Sequence, residues 1–194
     1  MSLAPTDLIA LSETWLKSSD CLNLYKIPGY HPIITHNRDN KLGGGVAIYV
    51  KEDFEYDTVE NHASMEIMKL RTKGITFVVF YRPPNQIVDN FVNELFDQIS
   101  NREKVVLIGD SNIDLLKNDK NSELLFNLIN SCALECPTSS LITRKTHMSS
   151  SSIDQIITDL NIDSCQIVEN SFSDHSAVLV SLGVKIKPQK VKNQ

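Results

Sequence analysis

The feature that most constrains the fold is the stretch at residues 105–114, with the sequence VVLIGDSNID. It opens with four large aliphatic residues and breaks at Gly109, a pattern typical of a strand buried on both faces of a sheet. Asp110 and Asn112 follow at once, and on an extended backbone their side chains point the same way. An acid and an amide at a rigid strand end can hold a water, a metal or a phosphate oxygen. They can equally form a polar turn with their own backbone.

Short apolar runs and two amphipathic helices alternate along the rest of the chain. The predicted strands are 7–11, 46–50, 65–72, 75–81, 105–108, 153–158, 165–168 and a final one after Asp174-His175. The predicted helices are 89–100, with Phe91, Val92, Leu95, Phe96 and Ile99 facing inward, and 121–134, with Leu124, Leu125, Leu128 and Ile129 facing inward. Segments 17–40 and 138–152 are predicted to be loops, the second one mobile and locally positive. This alternation predicts a mixed α/β fold.

Three consecutive glycines, Gly43, Gly44 and Gly45, precede the second strand. No Gly-Lys-Ser/Thr follows them, and they lead into a strand rather than a helix, so nucleotide-binding loops of the P-loop and dinucleotide types are excluded. We expect them to mark a place where two backbones approach closely.

Composition limits the remaining choices. The net charge of −5 excludes a chain-wide basic surface for nucleic acid, although a local basic groove remains compatible with it. We find no apolar run long enough to span a membrane and no hydrophobic leader. The four cysteines lack zinc-site spacing and are expected to be reduced. We predict one domain over residues 1–184 and a disordered basic tail over 185–194.

The predicted strand ends collect several acids, one amide, one tyrosine and one histidine. These residues are Glu13, Tyr81, Asp110, Asn112, Asp154, Asp174 and His175. Carboxylates gathered at one edge repel one another unless a cation lies among them, and oxygen ligands favour Mg²⁺, Mn²⁺ or Ca²⁺ over zinc. Such an ion polarises a phosphoryl oxygen, and a histidine held by a carboxylate can serve as a base or a phosphate partner. Metal-assisted phosphodiester hydrolysis is therefore the leading reaction class.

Five motifs occur in the order found in the endonuclease/exonuclease/phosphatase superfamily, which has the DNase I-like fold. They are Ser12-Glu13-Thr14, Tyr81-Arg82-Pro83-Pro84-Asn85, Gly109-Asp110-Ser111-Asn112, Ser152-Ile153-Asp154 and Ser173-Asp174-His175. The longer stretches SETWL at 12–16, GGGVAIYV at 43–50 and SDHSAV at 173–178 resemble the endonuclease domain of non-LTR retrotransposon proteins. The resemblance implies a four-layer α/β sandwich. Relatives begin with a strand bearing an Asn and a helix before the Glu strand, so this chain is expected to be N-terminally truncated.

Carried over by motif, the resemblance also implies roles for the site residues. Glu13 and Asp174 would hold the metal, expected to be Mg²⁺ with Mn²⁺ as an alternative. The implied catalytic residues are Asp110 for the attacking water or leaving group, Asn112 to orient it, Tyr81 on the phosphate, and His175 on the phosphoryl oxygens with Asp154 orienting it. The implied nucleic-acid contacts are Arg82, Asn85, Arg144 and Lys145.

The expected partner is DNA, with no membrane and no obligate small-molecule cofactor, and relatives carry a reverse transcriptase in the same chain. We expect an intracellular location, nuclear if the chain acts on DNA. Two alternatives remain open at this point. One is a phosphatase acting on a lipid or nucleotide phosphoester, because a fold does not fix a substrate. The other is a truncated, catalytically impaired remnant.

Overall fold

The computed structural model describes residues 6–39, 41–62, 65–72, 74–99 and 104–184, and the predicted basic tail at 185–194 lies outside them. In chain order the strands are β1 Leu8–Ser12, β2 Ile34–His36, β3 Val46–Val50, β4 Thr58–Asn61, β5 Glu66–Arg71, β6 Ile75–Tyr81, β7 Lys104–Asp110, β8 Arg144–Lys145, β9 Ser150–Ser151, β10 Asp154–Thr158, β11 Ile162–Val168 and β12 Ala177–Leu182. The α-helices are α1 Val88–Ile99 and α2 Lys120–Ser131.

The larger sheet has the order β10-β7-β6-β5-β4, in which β7 lies between β10 and β6. Val105 and Leu107 pack in one core cluster and Val106 packs in the other, so β7 is buried on both faces as predicted. β7 runs parallel to β6 and antiparallel to β10. Tyr81 therefore pairs with Asp110 and Asp110 pairs with Asp154 across three adjacent strands. One edge of this sheet thus collects three of the predicted site residues.

Gly109 makes this strand arrangement possible. A Cβ at Gly109 would overlap the carbonyl oxygen of Phe80 on the neighbouring strand β6. A side chain here would force β7 away from β6, so the glycine that ends the apolar run is required by close backbone approach.

The two helices cover the outer face of the larger sheet. Phe91, Leu95 and Ile99 of α1 and Leu125 of α2 pack with the outward-facing residues of β6 and β7. Phe96, predicted to face inward, is instead 47% exposed. The buried face of α1 consists of Val88, Phe91, Val92, Leu95 and Ile99, and Phe96 lies outside it. Leu124 is only partly buried, at the margin of the same cluster.

The inner face of the larger sheet packs against a second, three-stranded sheet with the order β1-β3-β2. The outer face of that small sheet is covered by residues 16–33, in which a 3₁₀ turn at Leu22–Tyr25 stands where a helical layer was expected. The layers are therefore helices, large sheet, small sheet and this covering segment. The fold class predicted from the sequence, a mixed α/β sandwich, is confirmed.

Two regions differ from the sequence prediction. Residues 138–152, predicted to be a mobile loop, contain the hairpin β8–β9, and the side chains of Thr138, Thr143 and Ser152 in it are fully buried. β11 and β12 form a separate two-stranded sheet, so that among the described residues β1 and β12 are both edge strands. The four cysteines form no disulfide, as expected.

Candidate active site

The centre of the site is Asp110, which is only 3% exposed at the end of β7. Its Oδ1 accepts the backbone N–H of Asn112 at 2.7 Å, and its Oδ2 accepts the Asn112 side-chain amide at 3.3 Å. Asn112 lies in the left-handed region with φ of 50°, so the chain turns here instead of staying extended. The site interpretation and the turn interpretation of this stretch are therefore compatible.

The electrostatic surroundings of Asp110 favour its protonated form. Burial raises the pKa of Asp110 to about 7, and the negative charge of Asp154 adds to the increase. The backbone N–H of Asn112 and the charge of His175 oppose it. An acid that exchanges its proton near neutral pH is suited to general acid–base chemistry.

Asp154 and His175 form a close pair beside Asp110. The Nδ1 of His175 lies 3.0 and 3.1 Å from the two carboxylate oxygens of Asp154. This hydrogen bond raises the pKa of His175, and the charges of Asp154, Asp110 and Asp174 raise it further against the effect of burial. Because Nδ1 is the atom bound to Asp154, Nε2 is the atom left for a substrate.

Local packing explains why Asp154 and His175 meet. The buried hydroxyl of Thr143 accepts the backbone N–H groups of both Ile153 and Asp154 at 3.0 Å. In the loop between β11 and β12, the Asn170 side chain donates to the carbonyl of His175 at 2.7 Å. Neither Thr143 nor Asn170 was predicted from the sequence, since each lies in a stretch rich in similar polar residues.

Glu13 and Tyr81 form the second part of the site. The Tyr81 hydroxyl donates to one carboxylate oxygen of Glu13, and the Trp15 indole N–H donates to the other at 3.3 Å. Burial raises the pKa of Tyr81, with the Glu13 hydrogen bond as the next cause. Tyr81 was predicted to contact phosphate, but in this structure its proton is directed to Glu13, so it acts on the orientation of that carboxylate.

The predicted metal ligands are only partly brought together. Glu13 lies close enough to Asp110 for its charge to affect the pKa of Asp110. Asp174 accepts a hydrogen bond from Arg144 Nε at 2.7 Å, and this bond lowers the pKa of Asp174. Asp174 therefore has a cation of the chain itself as its partner, whereas a place among the metal ligands was expected.

A different group of ligand atoms clusters in the described part of the chain. One ligand atom each from Asp110, Asp154 and His175 lie within 4.8 Å of one another. Two carboxylates and an imidazole at this spacing suit an oxygen-preferring divalent cation. The negative charge of Asp154 repels that of Asp110 and raises the pKa of Asp110, and such a cation would relieve this repulsion. The donor set thus fits the metal implied by the resemblance, with Glu13 on its border.

The four residues predicted to contact nucleic acid have different surroundings. Arg82 is 3% exposed and its guanidinium donates to the backbone carbonyls of Ser111, Asn112 and Gln86 at 2.5, 2.9 and 2.6 Å. It therefore ties β6 to the Asp110 loop and does not face solvent. Asn85 is exposed in the turn after β6, and the Lys145 side chain is exposed in the hairpin. Arg144 is engaged by Asp174.

Comparison with known proteins gives the family. The model of the family described as "Endonuclease-reverse transcriptase" matches residues 75–179, more than half of the chain. The chain belongs to this family. The matched segment runs from β6 to β12 and contains Tyr81, Asp110, Asp154 and His175. The predicted membership of the endonuclease/exonuclease/phosphatase superfamily is thereby confirmed.

Solved structures share the fold at low sequence identity. The 3′ phosphatase NExo from Neisseria, bound to product DNA hairpin, matches with a TM-score of 0.72 at 15% identity, covering 93% of this chain and 90% of that one. An AP endonuclease from Archaeoglobus fulgidus matches with 0.73 at 17%, covering 92% and 89%. The endonuclease domain of TRAS1, a telomere-specific non-LTR retrotransposon, matches with 0.68 at 16%, covering 91% and 85%. No curated protein sequence matches the chain at a significant level. Within the described residues, no helix has the length and apolar character needed to cross a membrane.

Proposed function

We propose that this member of the endonuclease–reverse transcriptase family is a DNA endonuclease that hydrolyses phosphodiester bonds with Mg²⁺, or Mn²⁺, as its cofactor. One observation carries the proposal. Buried Asp110, with its pKa raised to about 7, lies beside the hydrogen-bonded Asp154–His175 pair. A proton acceptor poised near neutral pH, next to an imidazole whose pKa is raised by its carboxylate partner, suits attack of water on a phosphodiester.

The residues divide the work by their hydrogen bonds. Asp110 takes the proton of the attacking water, or returns one to the leaving oxygen, while Asn112 holds its carboxylate in place. His175 presents Nε2 to a phosphoryl oxygen, since Nδ1 is held by Asp154. A bound divalent cation supplies polarisation of the phosphoryl group and stabilisation of the leaving oxyanion.

The proposed metal ligands are acidic groups at the same rim. The Tyr81 hydroxyl and the Trp15 indole N–H each donate to one carboxylate oxygen of Glu13, so the orientation of this carboxylate is fixed by hydrogen bonds. Asp154, in the cluster beside Asp110, provides a further oxygen. Asp174 contributes indirectly, because its bond to Arg144 positions the loop that ends in His175.

DNA is the proposed substrate because of the family description and because exposed residues of the chain suit contacts to the DNA backbone. The family description names an endonuclease, and among the structural neighbours one is bound to DNA and another belongs to a retrotransposon. Lys145 and Asn85 are exposed and suit contacts to the DNA backbone, and the backbone N–H of Lys145 donates to the carbonyl of Asp174, next to His175, at 2.8 Å. Action on chromosomal DNA would place the protein in the nucleus, and the family description pairs such an endonuclease with a reverse transcriptase.

A supercoiled-plasmid nicking assay with the full chain, with and without Mg²⁺, tests this proposal. We expect Mg²⁺-dependent nicking that Glu13→Gln, Asp110→Asn and His175→Ala each reduce by roughly 10²- to 10⁴-fold. Glu123→Gln, which removes an exposed acid from the first turn of α2, serves as the control and should leave nicking unchanged.

Other outcomes distinguish the alternatives. Nicking by the His175→Ala and Asp110→Asn variants at the rate of the parent chain would contradict the proposed mechanism. Release of phosphate from a small phosphoester or from a 3′-phosphorylated oligonucleotide, without DNA cutting, would replace the nuclease by a phosphatase. A folded chain with no turnover of either substrate would identify the impaired remnant.

A further inference from the structure

Trp15 is the single tryptophan of the chain. It lies two residues after the proposed metal ligand Glu13, and 61% of its surface is exposed. Isolated exposed apolar residues are common on proteins and need no explanation by themselves. Trp15 differs from such residues because its backbone and its ring are both fixed in place.

The backbone of Trp15 is held in an unusual conformation. Its φ is +56° and that of Glu13 is +52°, a left-handed region that bulky residues rarely adopt. The Trp15 N–H donates to the carbonyl of Gly44 at 2.9 Å, and the Thr14 N–H donates to the carbonyl of Gly45 at 3.2 Å. Such conformations persist where the surroundings impose them, and they concentrate at functional sites.

The indole ring of Trp15 also lies next to the glycine triplet. A Cβ at Gly43 would lie 3.4 Å from the ring, so the space between the ring and Gly43 would hold at most a methyl group. The indole N–H donates to Glu13 Oε2 at 3.3 Å. The ring therefore lies beside Gly43 and is hydrogen-bonded at its nitrogen, while most of the aromatic surface stays open to solvent beside the carboxylate.

Resting on the proposed function, we propose that Trp15 is the stacking platform for a nucleobase adjacent to the phosphodiester that is cut. A rigid aromatic surface binds bases without regard to sequence, because every base has a π-face. The chain carries a net charge of −5 and gathers carboxylates at this rim, so phosphate attraction is weak there. An uncharged contact next to Glu13 supplies binding that the local charge does not.

The hydrogen bond from Trp15 to Glu13 makes Trp15 a positioning residue as well. Tyr81 holds one oxygen of Glu13 and Trp15 holds the other, so the platform and the carboxylate move together. A base that stacks on the indole thereby sits at a fixed distance from the metal ligand. Loss of the ring and loss of the N–H are therefore separable perturbations.

Intrinsic fluorescence of the full chain in EDTA reports on Trp15 alone, because no other tryptophan is present. We expect a single-stranded oligonucleotide to change the emission and to protect it from acrylamide quenching. A deoxyribose-phosphate oligomer of the same length without bases should leave the emission unchanged. Binding of each labelled oligomer is followed in parallel by anisotropy.

Three variants complete the test. Trp15→Ala should weaken oligonucleotide binding and raise KM by roughly 10- to 100-fold. Trp15→Phe keeps an aromatic surface but lacks the N–H, so it should bind close to the parent and lower kcat. Phe96→Ala removes an exposed aromatic residue from α1 and should change neither constant.

The outcomes separate this inference from the proposed function. If the parent binds and nicks DNA but its emission does not respond, or if Trp15→Ala binds as tightly as the parent, the platform is refuted and the nuclease stands. An equal response to the base-free oligomer also refutes stacking. If the parent neither binds nor nicks DNA, both proposals fail together.

Discussion

Replacing Asp110 by asparagine should stabilise the metal-free protein above pH 7, while it lowers nicking activity by roughly 10²- to 10⁴-fold. Asp110 is 3% exposed and faces the charge of Asp154, so its ionised form is unfavourable in the folded chain. Asparagine has nearly the same shape and carries no charge. It retains the oxygen that accepts the Asn112 backbone N–H at 2.7 Å.

The magnitude follows from the pKa. The pKa of Asp110 rises from 3.8 to about 7 on folding. At about 1.36 kcal/mol for each pKa unit, ionised Asp110 destabilises the folded state by up to about 4 kcal/mol. The Asn112 side-chain bond to Oδ2 at 3.3 Å is lost in the variant, which costs about 1 kcal/mol. A net gain of about 3 kcal/mol is expected above pH 7.

The direction of the pKa shift sets the pH range over which stability changes. Because the folded pKa is raised, the protonated carboxyl favours the folded state below the unfolded pKa of about 4, and this contribution is lost as pH rises through about 7. The parent should therefore lose stability between these values relative to Asp110→Asn. Below pH 4 the variant should be slightly less stable than the parent, through the lost Asn112 bond.

Urea unfolding followed by circular dichroism, in EDTA and across pH 4 to 8, measures this difference. Added Mg²⁺ should reduce it, because the cation binds the ionised parent in its folded state. A variant that is less stable than the parent at pH 8, or a difference that does not change with pH, would refute the account of Asp110 as a buried, repelled carboxyl.

Three further results are expected. Asp154→Asn neutralises the carboxylate whose hydrogen bond and charge raise the pKa of His175, so the midpoint in an NMR titration of His175 should fall; an unchanged midpoint would contradict the pairing. Gly109→Ala should destabilise the fold by about 1–3 kcal/mol in thermal unfolding, since a Cβ there overlaps the backbone of β6, and a neutral effect would contradict that close approach. The Leu8 and Ala10 amides point away from β3, given the pairing register, and should exchange hydrogen faster than amides of β7. Slow exchange of both would mean that another segment covers this edge of β1.

Much of the fold was predictable because its signals are local. The apolar run at 105–108 ends at Gly109, and in the structure it forms β7, an interior strand of the larger sheet. The helix at 89–100 was predicted from spacing to within one residue at each end, although Phe96 turned out exposed. Strands β2 and β4 were missed, because short strands at a sheet edge carry too few apolar residues to show a period.

The sequence by itself determined which acids, amide and imidazole stand at strand ends, because strand ends are set by neighbours in the chain. Only the tertiary structure decided which of these side chains pair with one another. Asp154 meets His175 across 21 residues, Arg144 takes Asp174, and Arg82 turns inward to backbone carbonyls. These contacts depend on the sheet register and on which backbone groups are buried. Both are decided by interactions along the whole chain and not by neighbouring residues. A charged side chain carries no local mark that tells whether it will find a cation, a carbonyl or solvent.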